Sequence, residues 1–164
     1  MTSLVRVVAR QGCVLTPRNR RDTSTRRTMI ISGPQATGKT TALRQLGRVI
    51  ELRERQPGRA SGRIPVVYVS VPPAGASRTL VAEFARFLGL PLVKPACRTP
   101  GTARAVCEAL VRSGVELVLV DEIHHLKPGT AAGEETAGYL KYFTEQLPAT
   151  ILLTELTESF SQFR

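Results

Sequence analysis

Gly33-Pro34-Gln35-Ala36-Thr37-Gly38-Lys39-Thr40 spells G-x-x-x-x-G-K-[ST], and no other stretch of the sequence restricts the fold as strongly. It follows a β-branched run, Thr28 to Ser32 (TMIIS), and opens a segment of helical period. A strand that passes into a helix through two glycines turns backbone N–H groups inward, and the helix N-terminus adds the positive end of its dipole. This is a phosphate-binding loop. Gly33 and Gly38 let the backbone wrap closely, Lys39 reaches the β- and γ-phosphates, and Thr40 ligates Mg²⁺. The expected nucleotide contacts are Gly33, Pro34, Gln35, Ala36, Thr37, Gly38, Lys39, Thr40 and Thr41.

The rest of the pattern agrees with a loop of this kind. Short apolar runs at Thr28 to Ser32, Ile64 to Val71, Glu116 to Asp121 and Thr150 to Leu153 read as strands buried on both faces, as in a parallel sheet. Between them lie helical lengths. Lys39 to Arg55 places Leu43, Leu46, Gly47 and Ile50 together, and Ser77 to Leu88 does so with Leu80, Phe84, Phe87 and Leu88. Thr102 to Arg112 groups Val106, Leu110 and Val111, and Glu134 to Leu147 groups Tyr139, Leu140, Phe143 and Leu147. The alternation of strand and helix predicts an α/β domain. Pro72-Pro73-Ala74-Gly75, Pro91 to Pro100 and Lys127 to Gly133 punctuate it, and there is no internal repeat.

The third strand ends in Leu117-Val118-Leu119-Val120-Asp121-Glu122. Ligands of open parallel sheets bind at the carboxyl ends of the strands, so these acids fall where the phosphate loop needs them. Asp121 is expected to hold the magnesium through water. Glu122 is the expected base that orients the attacking water, with Lys39 as its catalytic partner at the phosphates. His124-His125 follow directly. A metal pair calls for His at i and i+4 or a third ligand nearby, which the sequence pattern does not show, so a structural or nucleotide-sensing role is expected.

Composition excludes several other classes. At 164 residues and 42% hydrophobic the chain has the length of one domain and enough apolar content for a core, and is neither a disordered nor a collagen-like sequence. No apolar run approaches the ~18 residues that cross a bilayer. The three cysteines, Cys13, Cys97 and Cys107, form neither a C-x-x-C nor a disulfide framework, which fits a reducing, cytoplasmic compartment and incidental or buried thiols. The net charge of +10 is uneven: residues 1 to 63 carry 14 Lys+Arg and 3 acids, residues 64 to 164 carry 9 and 10. Residues 1 to 27, with seven arginines against Asp22, are expected to form a mobile arm. Three readings of that arm stay open: contact with nucleic-acid phosphates, an organelle transit peptide, or a solvated tail.

GPQATGKTT, LVLVDEIHHL and the later helix YLKYFTEQLPAT together resemble the TniB-type transposition ATPases, a bacterial branch of the AAA+ superfamily, over roughly Thr28 to Thr150. The resemblance implies a three-layer αβα P-loop NTPase with a mostly parallel sheet, binding ATP with Mg²⁺. It also implies a regulator that assembles on DNA as a homo-oligomer and passes target information to a transposase. Carried over by position, Gly33, Gly38, Lys39 and Thr40 contact nucleotide and magnesium, and Asp121 and Glu122 are the hydrolytic acids. Such proteins continue past the fourth strand through a helix, a fifth strand, an arginine finger and a lid, whereas this chain reads ILLTELTESFSQFR and stops. The expectation is therefore a core over 28–154 whose carboxyl-terminal part is missing, with an irregular tail over 155–164. Thr154 lies near the family's polar sensor position, but its surroundings do not match and no role is carried over to it.

Two other classes compete. A nucleotide-dependent binding module with little turnover follows from the absent finger and lid. Asp121-Glu122-Ile123-His124 also matches the D-E-x-H box of a helicase motor domain, although Ala36 stands where those loops carry a middle glycine. A small P-loop kinase fits less well, because Glu122 suits activation of water.

Overall fold

The structure is a computed structural model that describes residues 6–11, 27–54, 62–73, 77–90, 99–126 and 129–156. Its sheet has five strands: β1 (Arg6–Gln11), β2 (Arg27–Gly33), β3 (Val66–Ser70), β4 (Leu117–Asp121) and β5 (Thr150–Leu156), in the spatial order β1-β2-β5-β4-β3. The last four of that order are mutually parallel, and β1 pairs antiparallel with β2 along the outer edge. Four helices connect them: α1 (Lys39–Glu54), α2 (Ser77–Phe87), α3 (Thr99–Arg112) and α4 (Ala131–Gln146). The result is an α/β fold of three layers.

Alternation along each strand assigns side chains to the two faces. Val67, Val69, Val118, Val120, Ile151 and Leu153 point to one face, where Leu80, Phe84, Val106, Leu110, Leu140 and Phe143 of α2, α3 and α4 complete the larger core. Phe84 and Phe143 are fully buried and lie 4.8 Å apart between ring centroids. Leu117, Leu119 and Leu152 point the other way, against Leu43 of α1, with Met29, Ile31, Ile50, Val66 and Tyr68 around them. Cover on both faces is the reason the strands read as unbroken apolar runs. On the thinner face α1 lies so close to the sheet that a Cβ on Gly47 would fall 2.9 Å from Leu119 Cδ1 and 3.2 Å from Val66 Cγ1.

Several expectations are corrected here. Leu46 is 40% exposed and so leaves the face it was expected to share with Leu43; Phe87 and Val111 are exposed too. Helix α4 starts at Ala131, ahead of Glu134, because the Thr130 side chain accepts from Gly133 N at 3.1 Å and caps it. Helix α3 starts at Thr99, taking in Pro100, which a first helical turn accommodates. Strand β5 runs on to Leu156, so Glu155 and Leu156 belong to the sheet and not to a tail. In the segment expected to be an arm, Arg6–Gln11 forms β1, while 1–5 and 12–26 lie outside the described residues. Cys13 and Cys97 lie outside them as well. Cys107 is buried, which together with Glu108 pushes its thiol up to about 12 and leaves it protonated and inert. Among the described residues no helix is long and apolar enough to cross a membrane.

Candidate nucleotide site

Because β2, β5 and β4 are neighbours and parallel, their carboxyl ends converge. The phosphate loop leaves β2 at Gly33 and enters α1 at Lys39, with left-handed backbone at Ala36 (φ 59°) and Gly38 (φ 81°). For Ala36 that conformation costs on the order of 1 kcal/mol, which the loop accepts in order to coil. Lys39 Nζ donates to the carbonyls of Gly33 (2.8 Å) and Pro34 (2.6 Å) and lies 3.4 Å from Thr37 Oγ1. Thr37 in turn donates to Pro34 O at 2.8 Å. The ammonium is thus held over the loop by the loop's own backbone.

A cleft of about 320 Å³ opens here, lined by Gln35 to Thr41, by Glu122 and His124, and by Thr154 to Leu156. Of the residues expected from sequence, Gln35, Ala36, Thr37, Gly38, Lys39, Thr40, Thr41 and Glu122 line it directly. Gly33 and Pro34 stand behind Lys39, and Asp121 is 2% exposed beneath the cleft floor.

Asp121 is where the site is most ordered. Its Oδ1 accepts from the Thr154 hydroxyl and from Glu122 N (3.1 Å), its Oδ2 accepts from Tyr68 OH (2.8 Å), and the Thr40 hydroxyl bonds to it too. Burial alone would raise its pKa, but the donors from Thr154, Tyr68, Thr40 and Glu122 outweigh burial and hold the carboxyl below its ordinary range. It stays a carboxylate while shut away from water. Thr40, the other residue expected to hold Mg²⁺, is among the groups that keep Asp121 ionised, and a hydroxyl with an ionised carboxylate is an oxygen donor set that suits that ion.

Three contributors escaped the sequence reading. Thr154 donates to Asp121 and accepts from Glu122 N at 3.3 Å, so it ties the two acids to β5. Tyr68 reaches Asp121 from the next strand, with Arg44 of α1 lying 5.0 Å over its ring and donating to its hydroxyl at 3.3 Å. Burial and the bond to Asp121 both raise the Tyr68 pKa, so the phenol remains a donor. Glu155, 2% exposed on the opposite face of β5, interacts with Ser32, its register partner, and leaves Oε1 without a partner. Burial pushes its pKa up against the effect of Ser32. The alternation along β5 could have indicated Thr154 and Glu155 once the strand's length was known; no local pattern indicates Tyr68.

Beyond Asp121 the backbone turns sharply. Glu122 takes φ 63° and ψ 37°, and a single 3₁₀ turn, Ile123–His125, follows. His124 Nε2 then lies 3.2 Å from Glu122 Oε2, so the histidines do have an acidic neighbour, contrary to expectation. Burial lowers the His124 pKa, with His125 and Lys39 pushing the same way against Glu122 and Asp121.

A family model described as an AAA domain matches residues 20–158. Among solved structures, the chain is similar to the ORC1 protein of Aeropyrum pernix in complex with DNA, at TM-score 0.63 and 18% identity, over 81% of this chain and 34% of that one. It is similar to the ORC2 protein of the same organism, in ADPNP–ADP complexes, at TM-score 0.62 and 21% identity, over 84% of this chain and 37% of that one. The chain thus spans about a third of the length of these structures. No curated protein sequence matches it. The family match covers most of the chain and favours the AAA reading over the helicase one: this chain belongs to the AAA domain family.

Proposed function

We propose that this domain binds ATP with Mg²⁺ and hydrolyses it, and that it serves as a regulator of DNA transposition, acting on DNA together with a transposase and as a homo-oligomer. The observation that carries the nucleotide part is a cleft walled by the phosphate loop and Glu122, with the ionised Asp121 held by Thr154, Tyr68 and Glu122 N beneath it. Lys39, now on the loop carbonyls, would turn to the β- and γ-phosphates, and Thr40 and Asp121 would hold the magnesium, which would screen phosphate charge. Glu122 orients water, and Thr154 keeps both acids in register. The transposition part is supported by the resemblance of GPQATGKTT and LVLVDEIHHL to the TniB-type ATPases. The arginine-rich residues 12–26 supply a charge that suits phosphates.

One observation favours a second reading, a nucleotide-dependent binding module with little turnover: the Glu122 carboxylate is engaged by His124 at 3.2 Å. Titration with a fluorescent ATP analogue and Mg²⁺ tests binding, with Lys39→Ala expected to lose it. Hydrolysis assayed with and without DNA then separates the readings. Glu122→Gln abolishes turnover in an ATPase and changes nothing measurable in a module. Absence of nucleotide binding by the folded parent chain would refute both.

A further inference from the structure

The left-handed turn at Glu122 does more than end β4. It folds the Glu122 carboxylate back onto the histidine pair, so that one ligand-capable atom from each of Glu122, His124 and His125 lies within 4.8 Å of the other two. Glu122 Oε2 and His124 Nε2 are 3.2 Å apart. Two ligands bonded at about 2.0–2.2 Å to one tetrahedral cation stand about 3.3–3.6 Å apart, so this pair lies about 0.1 Å short of that span. The imidazole of His125 lies against that of His124, with centroids 4.3 Å apart. Its Nδ1 is 2.8 Å from the carbonyl oxygen of Val71, an acceptor only, so Nδ1 carries the proton and Nε2 the lone pair. A backbone carbonyl that orients a ring in this way is the usual outer support of a metal-bound histidine.

We propose that Glu122, His124 and His125 form a site for a borderline divalent transition cation, Zn²⁺ above all, separate from the magnesium position at Thr40 and Asp121. Two imidazoles and one carboxylate match Zn²⁺, with the fourth position open to water or a phosphate oxygen. Mg²⁺ prefers oxygen ligands and competes poorly for such a set. Occupancy would withhold the Glu122 carboxylate from water and slow turnover. That inhibitory consequence rests on the ATPase reading above; the binding itself does not.

The test uses the full chain with Cys13→Ser and Cys97→Ser, which leaves the buried Cys107 as its one thiol. Co²⁺ is titrated with visible absorption as the readout and then displaced by Zn²⁺ against a chromophoric chelator. One equivalent is expected, with the bands of a four- or five-coordinate ion. His125→Asn, whose amide can still donate to Val71 O, should weaken Zn²⁺ at least about tenfold and leave Mg²⁺-dependent binding of the ATP analogue unchanged. His124→Asn is a second ligand variant, with folding of each checked by circular dichroism. Equal Zn²⁺ affinity in the parent and both variants, or no stoichiometric uptake by the parent, overturns the proposal. One bound Zn²⁺ in a parent chain that fails to bind nucleotide would instead sink the ATPase reading and leave the metal site standing.

Discussion

Among the described residues, three helices on one face of the sheet bury Phe84, Phe143, Leu80 and Leu110, and on the other α1 alone lies over the strands with Leu43 buried and Ile50 beside it. Its outer side shows Leu46, Val49 and Leu52 at 40, 54 and 60% exposure. The carboxyl groups at the sheet edge follow the same division. Asp121, on the α1 face, is surrounded by donors; Glu155, on the thick face, has Ser32 and an orphaned oxygen. Both are 2% exposed, yet one pKa is lowered and the other raised. Burial alone therefore does not decide ionisation here, whereas the supply of donors does. The thick face holds the larger core, and the thin face holds the acid that its donors keep ionised beneath the cleft.

The contrast can be tested, beginning with the largest effect. Phe84→Ala should destabilise the domain by about 3–5 kcal/mol in denaturant titration, because it empties the centre of the thick core. A loss below 1 kcal/mol would mean that face does not carry the fold. Thr154→Val keeps shape but takes a donor from Asp121, and should cost about 1–3 kcal/mol near neutral pH. The depressed Asp121 pKa contributes stability above the unfolded-state range that is lost as pH falls through the folded value. In Thr154→Val the folded Asp121 value moves up toward the unfolded one, so that acid loss should be smaller and be complete at higher pH, which thermal melts across pH would reveal.

Glu155→Gln should act in the opposite sense. The folded Glu155 pKa is raised, so ionising it above the ordinary glutamate range removes stability as pH rises. The amide carries no charge, so the variant should gain about 1 kcal/mol at neutral pH and lose that part of the pH dependence. An unchanged pH profile would show that Glu155 finds a partner in solution. The smallest effect is expected on the outer side of α1, where Leu46→Ala should stay within about 0.5 kcal/mol of the parent.

Much of this was legible in the sequence, and the reason differs from element to element. The phosphate loop is local: its glycines, lysine and threonine are consecutive, so spacing alone carries it. Strands β2 to β5 are continuous apolar runs because both faces are covered. Strand β1 was not legible, since RVVARQ pairs, among the described strands, with β2 alone and lies among arginines. Leu46 was misplaced because an apolar residue three positions from Leu43 falls at the margin of the helical stripe, where one turn of rotation decides exposure. Tyr68 and Thr154 meet Asp121 only through strand order, with Asp121 opposite Ser70 on one side and Val120 opposite Leu153 on the other. Such cross-strand partners follow from topology, which no local period encodes. The meeting of Glu122 with His124 depends on a single pair of dihedral angles at a residue that has no sequence marker for them.

The strand order has a consequence for biosynthesis. β2 carries the loop and β4 carries the acids, but the two are not neighbours: β5, which lies furthest along the chain among the described strands, is threaded between them. Until residues 150–156 are in place, β2 has no parallel neighbour among the described strands, and the loop that it carries is tied to β3 and β4 only through the packing of α1. A nascent or broken chain lacking β5 would carry the loop and both acids, yet its cleft would lack the wall of Thr154, Glu155 and Leu156 and its Asp121 the Thr154 donor.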